Sequence, residues 1–421
     1  MKSWKIRLSA CLAGLCLLAS GCRLPRTPDD SAPPESGGTP PSYSGERPSP
    51  EEEFRGVWVS YIELNALLKG KTQAQAEAAL DGMMENIASY GLNTVFFHVR
   101  AMSDAYYPSE LFPPAAAVEA LIEGGFDPLA YAVEAAHARG LELHAWINPY
   151  RIGVKRENAG CEDIFSVDSG GTPCYYYNPA SEEAQSLILQ GLAEVVDNYP
   201  VDGVQFDDYF YPSNAAAVPP DAPAPFEEEA YAAYTAEGGA LGVADWRRAQ
   251  VDVLVAGAYQ KAHAREGCVF GVSPDYHVEK NYSSLYADVA AWIAVPGYVD
   301  YICPQIYFGF ENSAAPFDEA VKQWAGYPRH ASVRLYVGLG LYKTGMSPDV
   351  YAGQGKDEWA GHDDVMKRSV EFLRGQPEVT GMAFYNYSSF QAGARSPSAG
   401  QTYSKEVGQR EVENLLSLLR Q

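Results

Sequence analysis

Basic residues and long apolar runs are scarce in this chain of 421 residues. Lys and Arg number 31 against 54 Asp and Glu, and the formal net charge is −23. Because a surface this acidic repels polyanions, we exclude nucleic acids and anionic membrane surfaces as partners. The apolar run over residues 8–19 is too short for a membrane-spanning helix, which needs roughly 20 apolar residues.

The short motifs of several common cofactor and catalytic sites are also missing. The sequence has no Cys-x-x-Cys or His-x-x-x-His spacing, so we expect no structural zinc and no metal site. No Gly-rich phosphate loop follows an early strand, and no Gly-x-Ser-x-Gly elbow marks a nucleophilic serine. We therefore predict a protein that needs no cofactor.

The first 53 residues are typical of an export signal followed by a tether. Three basic side chains precede the apolar run, which ends in Ser20-Gly21-Cys22. This order predicts a bacterial lipoprotein signal over residues 1–21 with Cys22 lipidated; an ordinary cleaved signal is the alternative. Eight prolines within residues 23–53 predict that residues 22–53 form an extended tether. We expect a protein of the cell envelope, outside the cytoplasm, that is held to the membrane by its lipid anchor only.

Four cysteines follow the tether. Cys161 and Cys174 lie in one Gly-rich stretch, and an oxidising envelope would allow them to pair. Cys268 and Cys303 lie in apolar, strand-like runs, which is typical of small buried residues. The sequence leaves the disulfide between Cys161 and Cys174 open.

From residue 54 onward, strand-like and helix-like segments alternate. The chain is 47% hydrophobic and 12% aromatic, which is enough for a large core and too much for a disordered protein. The eight strand-like runs are Gly56–Tyr61, Thr94–Arg100, Glu142–Asn148, Gly203–Phe210, Val269–Ser273, Tyr301–Phe308, Leu335–Leu341 and Gly381–Tyr387. One of the helix-like segments between them is a short one over Ser283–Ile293.

Eight such units predict an α/β fold, a (β/α)₈ TIM barrel that spans residues 54–421 as one domain. Enlarged loops are expected after strands 3 and 4, at residues 151–180 and 212–244. A doubly wound open sheet is the alternative, but it usually carries the phosphate loop that is missing here. We expect the protein to be a monomer.

Polar and aromatic side chains cluster at the predicted C-terminal ends of the strands. In a TIM barrel this is the end that bears the active site. We predict that these residues line a substrate cleft: Arg100, Asp104, His144, Trp146, Asn148, Arg151, Asp207, Asp208, Tyr211, Gln305, Tyr307 and Tyr385.

The adjacent carboxylates Asp207 and Asp208 are the strongest catalytic candidates. They follow the buried fourth strand directly, in the run Asp202–Pro212. Burial and mutual repulsion would raise one pKa, so that one carboxyl stays protonated beside a charged neighbour. General acid catalysis needs such a pair. The alternative is structural, with one Asp capping a helix and the other in a salt bridge.

The run His144–Arg151 is the second candidate for substrate contacts. The two-residue period of a strand puts His144, Trp146 and Asn148 on one face. Trp146 would stack on a sugar, while Asn148 and Arg151 would hydrogen-bond hydroxyls or a carboxylate. A histidine packed in the core is an equally good interpretation of His144, and barrel packing is as good a one for Trp146.

Several motifs together resemble the glycosyl hydrolase-like 10 family, a group of bacterial envelope proteins with a (β/α)₈ domain. The resemblance extends from about residue 54 to about residue 390, with the motifs in the same order. It is carried by Arg55–Val59, Asn93–Arg100, Ser103–Tyr107, His144–Arg151, Asp202–Pro212, Trp246–Arg248, Asp300–Ile302 and Pro304–Tyr307. The resemblance implies a glycosidase fold, and some members of the family are associated with cleaving peptidoglycan glycan strands without stem peptides.

Carried over by position, the resemblance implies that the cleft contains Arg100, Asp104, His144, Asn148, Arg151, Asp207, Asp208, Gln305 and Tyr307. Two departures from the family's pattern stand out. Asp275-Tyr276-His277 replaces a more usual Gly-aromatic sequence, and no Glu ends strand 7. The second departure argues against a retaining glycosidase with a nucleophilic Glu on that strand.

We expect a glycoside hydrolase that acts on a polysaccharide with 2-acetamido sugars, such as peptidoglycan. The Asp pair is similar to that of certain N-acetylglucosaminidases, in which the substrate's acetamido oxygen attacks the anomeric carbon. By that similarity Asp207 polarises the acetamido group, Asp208 protonates the leaving oxygen and Tyr307 binds the acetamido; the two Asp roles are interchangeable at this stage.

Two alternatives remain. In an ordinary inverting or retaining mechanism on another extracellular polysaccharide, Asp104 or Asp275 would be the second carboxylate. In the other, the chain is a non-catalytic lipoprotein that kept the barrel and binds glycans.

Overall fold

The computed structural model describes residues 53–391 and 397–420. The predicted signal peptide, Cys22 and the tether up to residue 52 lie outside the described residues. Within the described part, no helix is both long and apolar enough to cross a membrane.

Eight parallel strands form a closed barrel, which confirms the predicted fold. They are β1 (Phe54–Val59), β2 (Thr94–Ala101), β3 (Glu142–Ile147), β4 (Gly203–Phe206), β5 (Val269–Val272), β6 (Tyr301–Ile302), β7 (Arg334–Leu339) and β8 (Gly381–Phe384). Each strand pairs with the next in sequence, and β1 closes the barrel because it pairs with both β2 and β8. Val57 at the seam lies opposite Val95 on one side and Phe384 on the other.

Helices fill the connections and cover the outside of the barrel. They are α1 (Tyr61–Leu68), α2 (Gln73–Ser89), α3 (Glu119–Glu123), α4 (Pro128–His137), α5 (Glu182–Asn198), α6 (Glu228–Ala236), α7 (Val243–Ala262), α8 (Val278–Ser284), α9 (Val289–Ala294), α10 (Phe317–Ala325), α11 (Glu358–Gly361), α12 (Val365–Arg374) and α13 (Lys405–Leu419). Their buried aliphatic faces pack on the outward side chains of the strands to form the main core.

The prediction of a single short helix over Ser283–Ile293 was wrong. The structure has two helices there, α8 and α9, separated by residues 285–288. The helix is interrupted at Tyr286, because the φ of this residue is 52° and lies in the left-handed region. Asp288 then starts α9 by accepting a hydrogen bond from the Ala291 N–H at 3.0 Å.

The inside of the barrel is filled with aromatic rings. Phe54, Phe96, His144 and Tyr301 pack against each other, with ring centroids 5.4 to 6.4 Å apart. Glycines leave the space that these rings need. A Cβ on Gly271 would lie 2.1 Å from the Tyr301 ring, so no larger residue fits at this position of β5 without displacing the ring.

The two predicted long loops are structured. The loop after β3 folds into a three-stranded antiparallel sheet of Arg151–Gly153, Ile164–Ser169 and Thr172–Tyr177. The four cysteines of the described residues are free thiols, so Cys161 before the second of these strands and Cys174 on the third are not bridged.

The loop after β4 contains α6. A buried ion pair between Glu227 in this loop and Arg247 on α7 attaches the loop to α7. Both side chains are fully buried. Arg247 also donates to the Pro219 and Ala222 carbonyl oxygens at 2.7 and 3.0 Å. One side chain on α7 therefore fixes the part of this loop between Pro219 and Glu227.

Candidate active site

The C-terminal ends of the strands enclose a cavity of about 320 Å³ with the Asp pair in its wall. We call it the aromatic cavity. It is lined by Trp58, Trp146, Asp207, Asp208, Tyr209, Ser273, Gln305, Tyr307, Tyr342 and Tyr385. Because almost every strand of the barrel contributes to this lining, residues distant in sequence converge on one site.

One wall of the aromatic cavity is a cluster of tyrosines. Tyr307 and Tyr385 stack with centroids 5.8 Å apart, and Tyr342 lies edge-on to both at 6.0 and 5.8 Å. Trp58 and Trp146 add two indole rings. Aromatic faces with few polar atoms between them suit a pyranose ring, which packs its CH groups on such surfaces.

Asp207 is buried and held by three donors. Its Oδ2 accepts hydrogen bonds from Trp146 Nε1 at 2.9 Å and from Asn148 Nδ2, and its Oδ1 accepts the Tyr209 N–H at 3.2 Å. All three donors satisfy lone pairs of an ionised carboxylate. They fix the carboxyl plane before any substrate binds.

A second layer of residues holds these donors in place. Asn148 Oδ1 accepts from the Met102 N–H at 2.6 Å and from His98 Nε2 at 3.2 Å. Burial lowers the pKa of His98 to about 3, so its ring is neutral and Nε2 carries the proton that it donates. The same ring stacks on Trp146 with centroids 3.7 Å apart.

Asp208 lies in a more open position than Asp207. Its side chain is only half-buried, and Gln305 Nε2 donates to its Oδ1 at 3.2 Å. Gln305 is itself held by the Ser273 carbonyl oxygen at 3.0 Å. Burial and the charge of Asp275 raise the pKa of Asp208, so this carboxyl keeps its proton to a higher pH than an ordinary Asp.

Burial and the neighbouring charge of Asp208 raise the pKa of Asp207 from its ordinary 3.8 to about 7. The folded protein therefore holds a proton that the unfolded chain releases, and this group makes the free energy of unfolding fall between about pH 4 and pH 7. Asp207→Asn imitates the protonated carboxyl and removes this loss. The melting temperature of the variant minus that of wild type should therefore be larger at pH 8 than at pH 5. We expect the increase to be at least about 2 °C.

Thermal unfolding of both proteins at the two pH values measures this difference. Asp81→Asn is the matched control, because Asp81 lies on α2 with a side chain that is 40% exposed. An equal pH dependence in the two variants would contradict the assignment to Asp207.

A second cavity of about 250 Å³ also has Asp208 in its wall. We call it the Arg151 cavity. Asp208 and Tyr209 line both cavities, and the other lining residues include Arg151, Asp168, Cys174, Tyr176, Tyr211 and Lys280. The Arg151 guanidinium lies over the Tyr209 ring, 4.5 Å from its centroid.

The structure therefore brings nine of the predicted residues together around the two cavities. They are Trp146, Asn148, Arg151, Asp207, Asp208, Tyr211, Gln305, Tyr307 and Tyr385. Asn148 acts through Asp207 and does not line a cavity itself.

Arg100 is not in the cleft, contrary to the prediction. It is buried, donates to the Asn148 and Pro149 carbonyl oxygens at 2.6 and 3.1 Å, and lies over the Phe112 ring. The reason is an irregularity in β2, where the register with β3 shifts between His98 and Arg100. The shift turns Arg100 to the outer face of the barrel, where it fixes the turn after β3.

His144 is also placed away from the cleft. It is 2% exposed, and its Nδ1 lies 3.0 Å from the Tyr301 hydroxyl inside the barrel. His144 shares a strand face with Trp146 but lies one layer deeper, roughly 7 Å farther from the site. The interpretation as a packed core histidine is the one that this placement supports.

Tyr211 lines the Arg151 cavity, whereas Asp104 lies away from both cavities. The Tyr211 side chain is buried, and its hydroxyl donates to Glu227 at 3.1 Å. Asp104 lies in a separate groove, where it pairs with Lys155 at 3.1 Å and accepts from Asn158. The placement of Asp104 is therefore contrary to the prediction.

The sequence prediction omitted Trp58, Tyr209, Ser273 and Tyr342, which all line the aromatic cavity. Ser273 and Tyr342 had a detectable signal, because Ser273 ends the strand-like run Val269–Ser273 and Tyr342 directly follows the run Leu335–Leu341. Among the described residues, no three His, Cys, Asp or Glu side chains converge on a metal site.

Comparison with known proteins decides the family. The sequence profile of the glycosyl hydrolase-like 10 family matches residues 53–354. The chain belongs to this family. It is 31% identical over 436 residues to glycosyl hydrolase DigH of Escherichia coli (strain K12), covering 91% of this chain and 93% of DigH. It is 32% identical over 324 residues to glycosyl hydrolase YngK of Bacillus subtilis (strain 168), covering 70% of this chain and 61% of YngK.

Solved structures agree on the fold. The glycoside hydrolase domain of PgaB (BpsB) from Bordetella bronchiseptica superposes with a TM-score of 0.53 at 13% identity, covering 81% of this chain and 97% of that domain. The α-L-fucosidase isoenzyme 2 from Paenibacillus thiaminolyticus gives a TM-score of 0.51 at 13% identity, covering 87% of this chain and 49% of the fucosidase chain. At these identities the likeness concerns the TIM barrel alone. Family membership and the named relatives make this member a glycoside hydrolase.

Proposed function

We propose that this glycoside hydrolase cleaves peptidoglycan glycan strands at a 2-acetamido sugar, using Asp207 and Asp208. The observation that carries the proposal is the unequal placement of the two carboxyls at one cavity. Asp207 is buried and fixed by three donors, while Asp208 is half-buried and lines both cavities. A firmly oriented carboxyl beside a reachable acid is what substrate-assisted cleavage needs.

In the proposed reaction, Asp208 gives its proton to the glycosidic oxygen as the bond from that oxygen to the anomeric carbon breaks. The acetamido oxygen of the same sugar attacks the anomeric carbon, and Asp207 stabilises the positive charge on the acetamido nitrogen. Water then opens the resulting ring, and Asp208 takes the proton back. In this proposal Tyr307, which stacks on Tyr385 in the cavity wall, hydrogen-bonds the acetamido group.

The other carboxylates are less suited to serve as the second catalytic group. Asp104 belongs to a different groove and is paired with Lys155. Asp275 is tied to Lys280 at 2.6 Å and to His277 at 3.1 Å. Although burial acts to raise it, the pKa of Asp275 is lowered by the hydrogen bonds from Lys280 and His277. This arrangement favours the substrate's own acetamido oxygen as the nucleophile over a protein carboxylate.

We also propose that the enzyme works in the cell envelope as a lipoprotein. The support is the order of residues 1–22, where a basic start and a short apolar run precede Ser20-Gly21-Cys22, and the Pro-rich segment that follows. A lipid on Cys22 would hold the barrel at the membrane, with the tether giving it reach.

Mass spectrometry of the products tests the reaction. Peptide-free peptidoglycan strands are incubated with the protein in water enriched in ¹⁸O, and we expect one heavy oxygen per cleavage at the new reducing end of a 2-acetamido sugar. Strands without their N-acetyl groups should resist cleavage, because the internal nucleophile is then missing. Release of labelled ends from both substrates at equal rates would overturn the mechanism. Binding of strands without any labelled product would favour the glycan-binding lipoprotein instead.

A further inference from the structure

We infer that the Arg151 cavity is the subsite for the leaving-group sugar and that it selects a pyranose carrying a carboxylate, with Arg151 as the specificity-determining residue. The inference rests on the proposed function in one respect: Asp208 must act on the glycosidic oxygen.

The position of Asp208 between two cavities fixes where the two sugars lie. Asp208 and Tyr209 line both the aromatic cavity and the Arg151 cavity. An acid that protonates a glycosidic oxygen lies at the bond between two sugars. One sugar therefore occupies each cavity. The aromatic cavity contains Asp207 and Tyr307, so the reacting 2-acetamido sugar lies there and the leaving sugar lies in the Arg151 cavity.

Arg151 is an uncompensated cation in a strongly acidic protein. Within the described part of the chain, its side chain forms no ion pair, although 54 acidic residues stand against 31 basic ones in the sequence. Its Nε is buried and has no hydrogen-bond partner there, although the guanidinium also has a hydrogen bond with the uncharged Cys174 thiol. A buried guanidinium donor without a partner is unfavourable in the free protein, so an incoming acceptor gains the full strength of a charge-assisted bond.

The other charged groups of the cavity do not neutralise Arg151. Lys280 is paired with Asp275 at 2.6 Å. Asp168 is exposed to solvent and accepts a hydrogen bond from the Gly171 N–H at 3.1 Å. Asp208 is bound by Gln305, and in the proposed acid form it carries no charge. The cavity therefore contains one guanidinium without an ion-pair partner among the described residues, while the Asp168 carboxylate in the same lining is exposed to solvent.

Arg151 is also held in a fixed orientation. Its backbone pairs with Tyr176 in the antiparallel sheet, and its guanidinium lies on the Tyr209 ring at 4.5 Å. A planar guanidinium that is already oriented loses little conformational entropy when it binds a carboxylate. A hydroxyl or acetamido group would satisfy the donors but not the charge, which is why we assign a carboxylate-bearing sugar.

Two sugars offer this chemistry beside a 2-acetamido sugar. One is the lactyl ether of muramic acid in peptidoglycan, and the other is a uronic acid in polymers that alternate it with a 2-acetamido sugar. Both place a carboxylate on the ring that leaves.

The test compares carboxylated substrates with their carboxyl-reduced alcohols. Wild type, Arg151→Gln and Arg151→Lys are assayed on peptide-free peptidoglycan strands, on the same strands after carboxyl reduction, and on oligosaccharides alternating N-acetylglucosamine and glucuronic acid. Wild type should prefer a carboxylated substrate at least tenfold in kcat/KM. Arg151→Gln should lose about 10- to 100-fold on that substrate and less than about threefold on the reduced one. Arg151→Lys should show an intermediate loss, because it keeps the positive charge but lacks the parallel N–H donors of the guanidinium.

The matched control is Arg156→Gln, which removes the same charge from the same loop at a side chain that is 61% exposed. It should leave the preference unchanged. Equal losses by Arg151→Gln on carboxylated and reduced strands would assign Arg151 a merely structural role and overturn the inference. Products in which the carboxylated sugar is the new reducing end would also overturn it, because that sugar would then have occupied the aromatic cavity. The substrate that is cleaved distinguishes the lactyl from the uronic source.

A binding measurement separates this inference from the proposed function. Calorimetry with Asp208→Asn and short oligosaccharides should show at least tenfold tighter binding of the carboxylated form, and the double variant Asp208→Asn/Arg151→Gln should bind both forms equally. If wild type cleaves no glycan, the proposed function fails, and these affinities still decide the role of Arg151. Equal affinities of Asp208→Asn for both forms would refute the inference even if cleavage is observed.

Discussion

Asp208→Asn is expected to cleave glycan strands about 10³-fold more slowly than wild type, within the range that loss of a general acid produces. A sugar alkoxide is a poor leaving group, so breaking the bond without proton transfer is slow. The substitution keeps the shape of the side chain, and its amide oxygen can accept the hydrogen bond that Gln305 Nε2 donates to Oδ1 in wild type. The loss should therefore appear in kcat, with little change in stability. Reducing-end release from peptide-free strands measures it.

The leaving group provides the sharper readout. On an aryl 2-acetamido glycoside, whose phenolate leaves without a proton, Asp208→Asn should recover most of its activity. Asp207→Asn should remain slow on both substrates, because the acetamido nucleophile is no longer stabilised. Asp81→Asn on α2 serves as the control and should match wild type. If Asp207→Asn is the variant that the aryl substrate rescues, the two roles are exchanged, and full activity in both variants would remove the pair from the mechanism.

Arg247→Met is expected to lower the free energy of unfolding by about 3–5 kcal/mol, as for other buried ion pairs that lose one partner. Glu227 is fully buried and would keep only the Tyr211 hydroxyl at 3.1 Å and the Ala224 N–H at 2.9 Å. The Pro219 and Ala222 carbonyl oxygens would lose their donor. The loop after β4 should also be cut faster by proteases, since these contacts hold it to α7. Denaturant unfolding and limited proteolysis test both effects.

The exposed pair of Arg156 and Glu162 is the control for this experiment. Its nitrogen and oxygen are 3.6 Å apart and its side chains are 61% and 96% exposed, so Arg156→Met should change stability by less than about 0.5 kcal/mol. The double variant Arg247→Met/Glu227→Gln should be less destabilised than the sum of its single changes, because no buried charge is left unpaired. A loss below about 1 kcal/mol in Arg247→Met would show that the pair does not stabilise the loop.

The barrel could be predicted because each strand is a local pattern. Runs such as Thr94–Ala101 are rich in β-branched and aromatic residues, which is typical of a strand that is buried along its whole length. The start of a helix could also be predicted from a few neighbouring residues. Asp127 precedes Pro128, and its side chain accepts a hydrogen bond from the Leu129 N–H at 3.0 Å. The break at Tyr286 was not predictable, because a left-handed residue other than glycine depends on tertiary contacts.

The candidate site was predictable only in outline. Position at a strand end selected Asp207, Asp208 and Gln305, which the structure does bring to one cavity. The same criterion also selected Arg100 and His144. It failed there because a register shift turned Arg100 outward and because strand periodicity gives the face of His144 but not its depth.

The sequence by itself determined that this protein is an acidic (β/α)₈ barrel of the glycosyl hydrolase-like 10 family with an Asp pair after its fourth strand, because hydrophobic periodicity and motif order are properties of the chain. Only the tertiary structure decided that Asp207 is fixed by Trp146 and Asn148 while Asp208 stays open between two cavities. The physical reason is that burial and hydrogen bonding depend on which strand ends meet. Adjacent residues of the same type therefore acquire different environments and different chemistry.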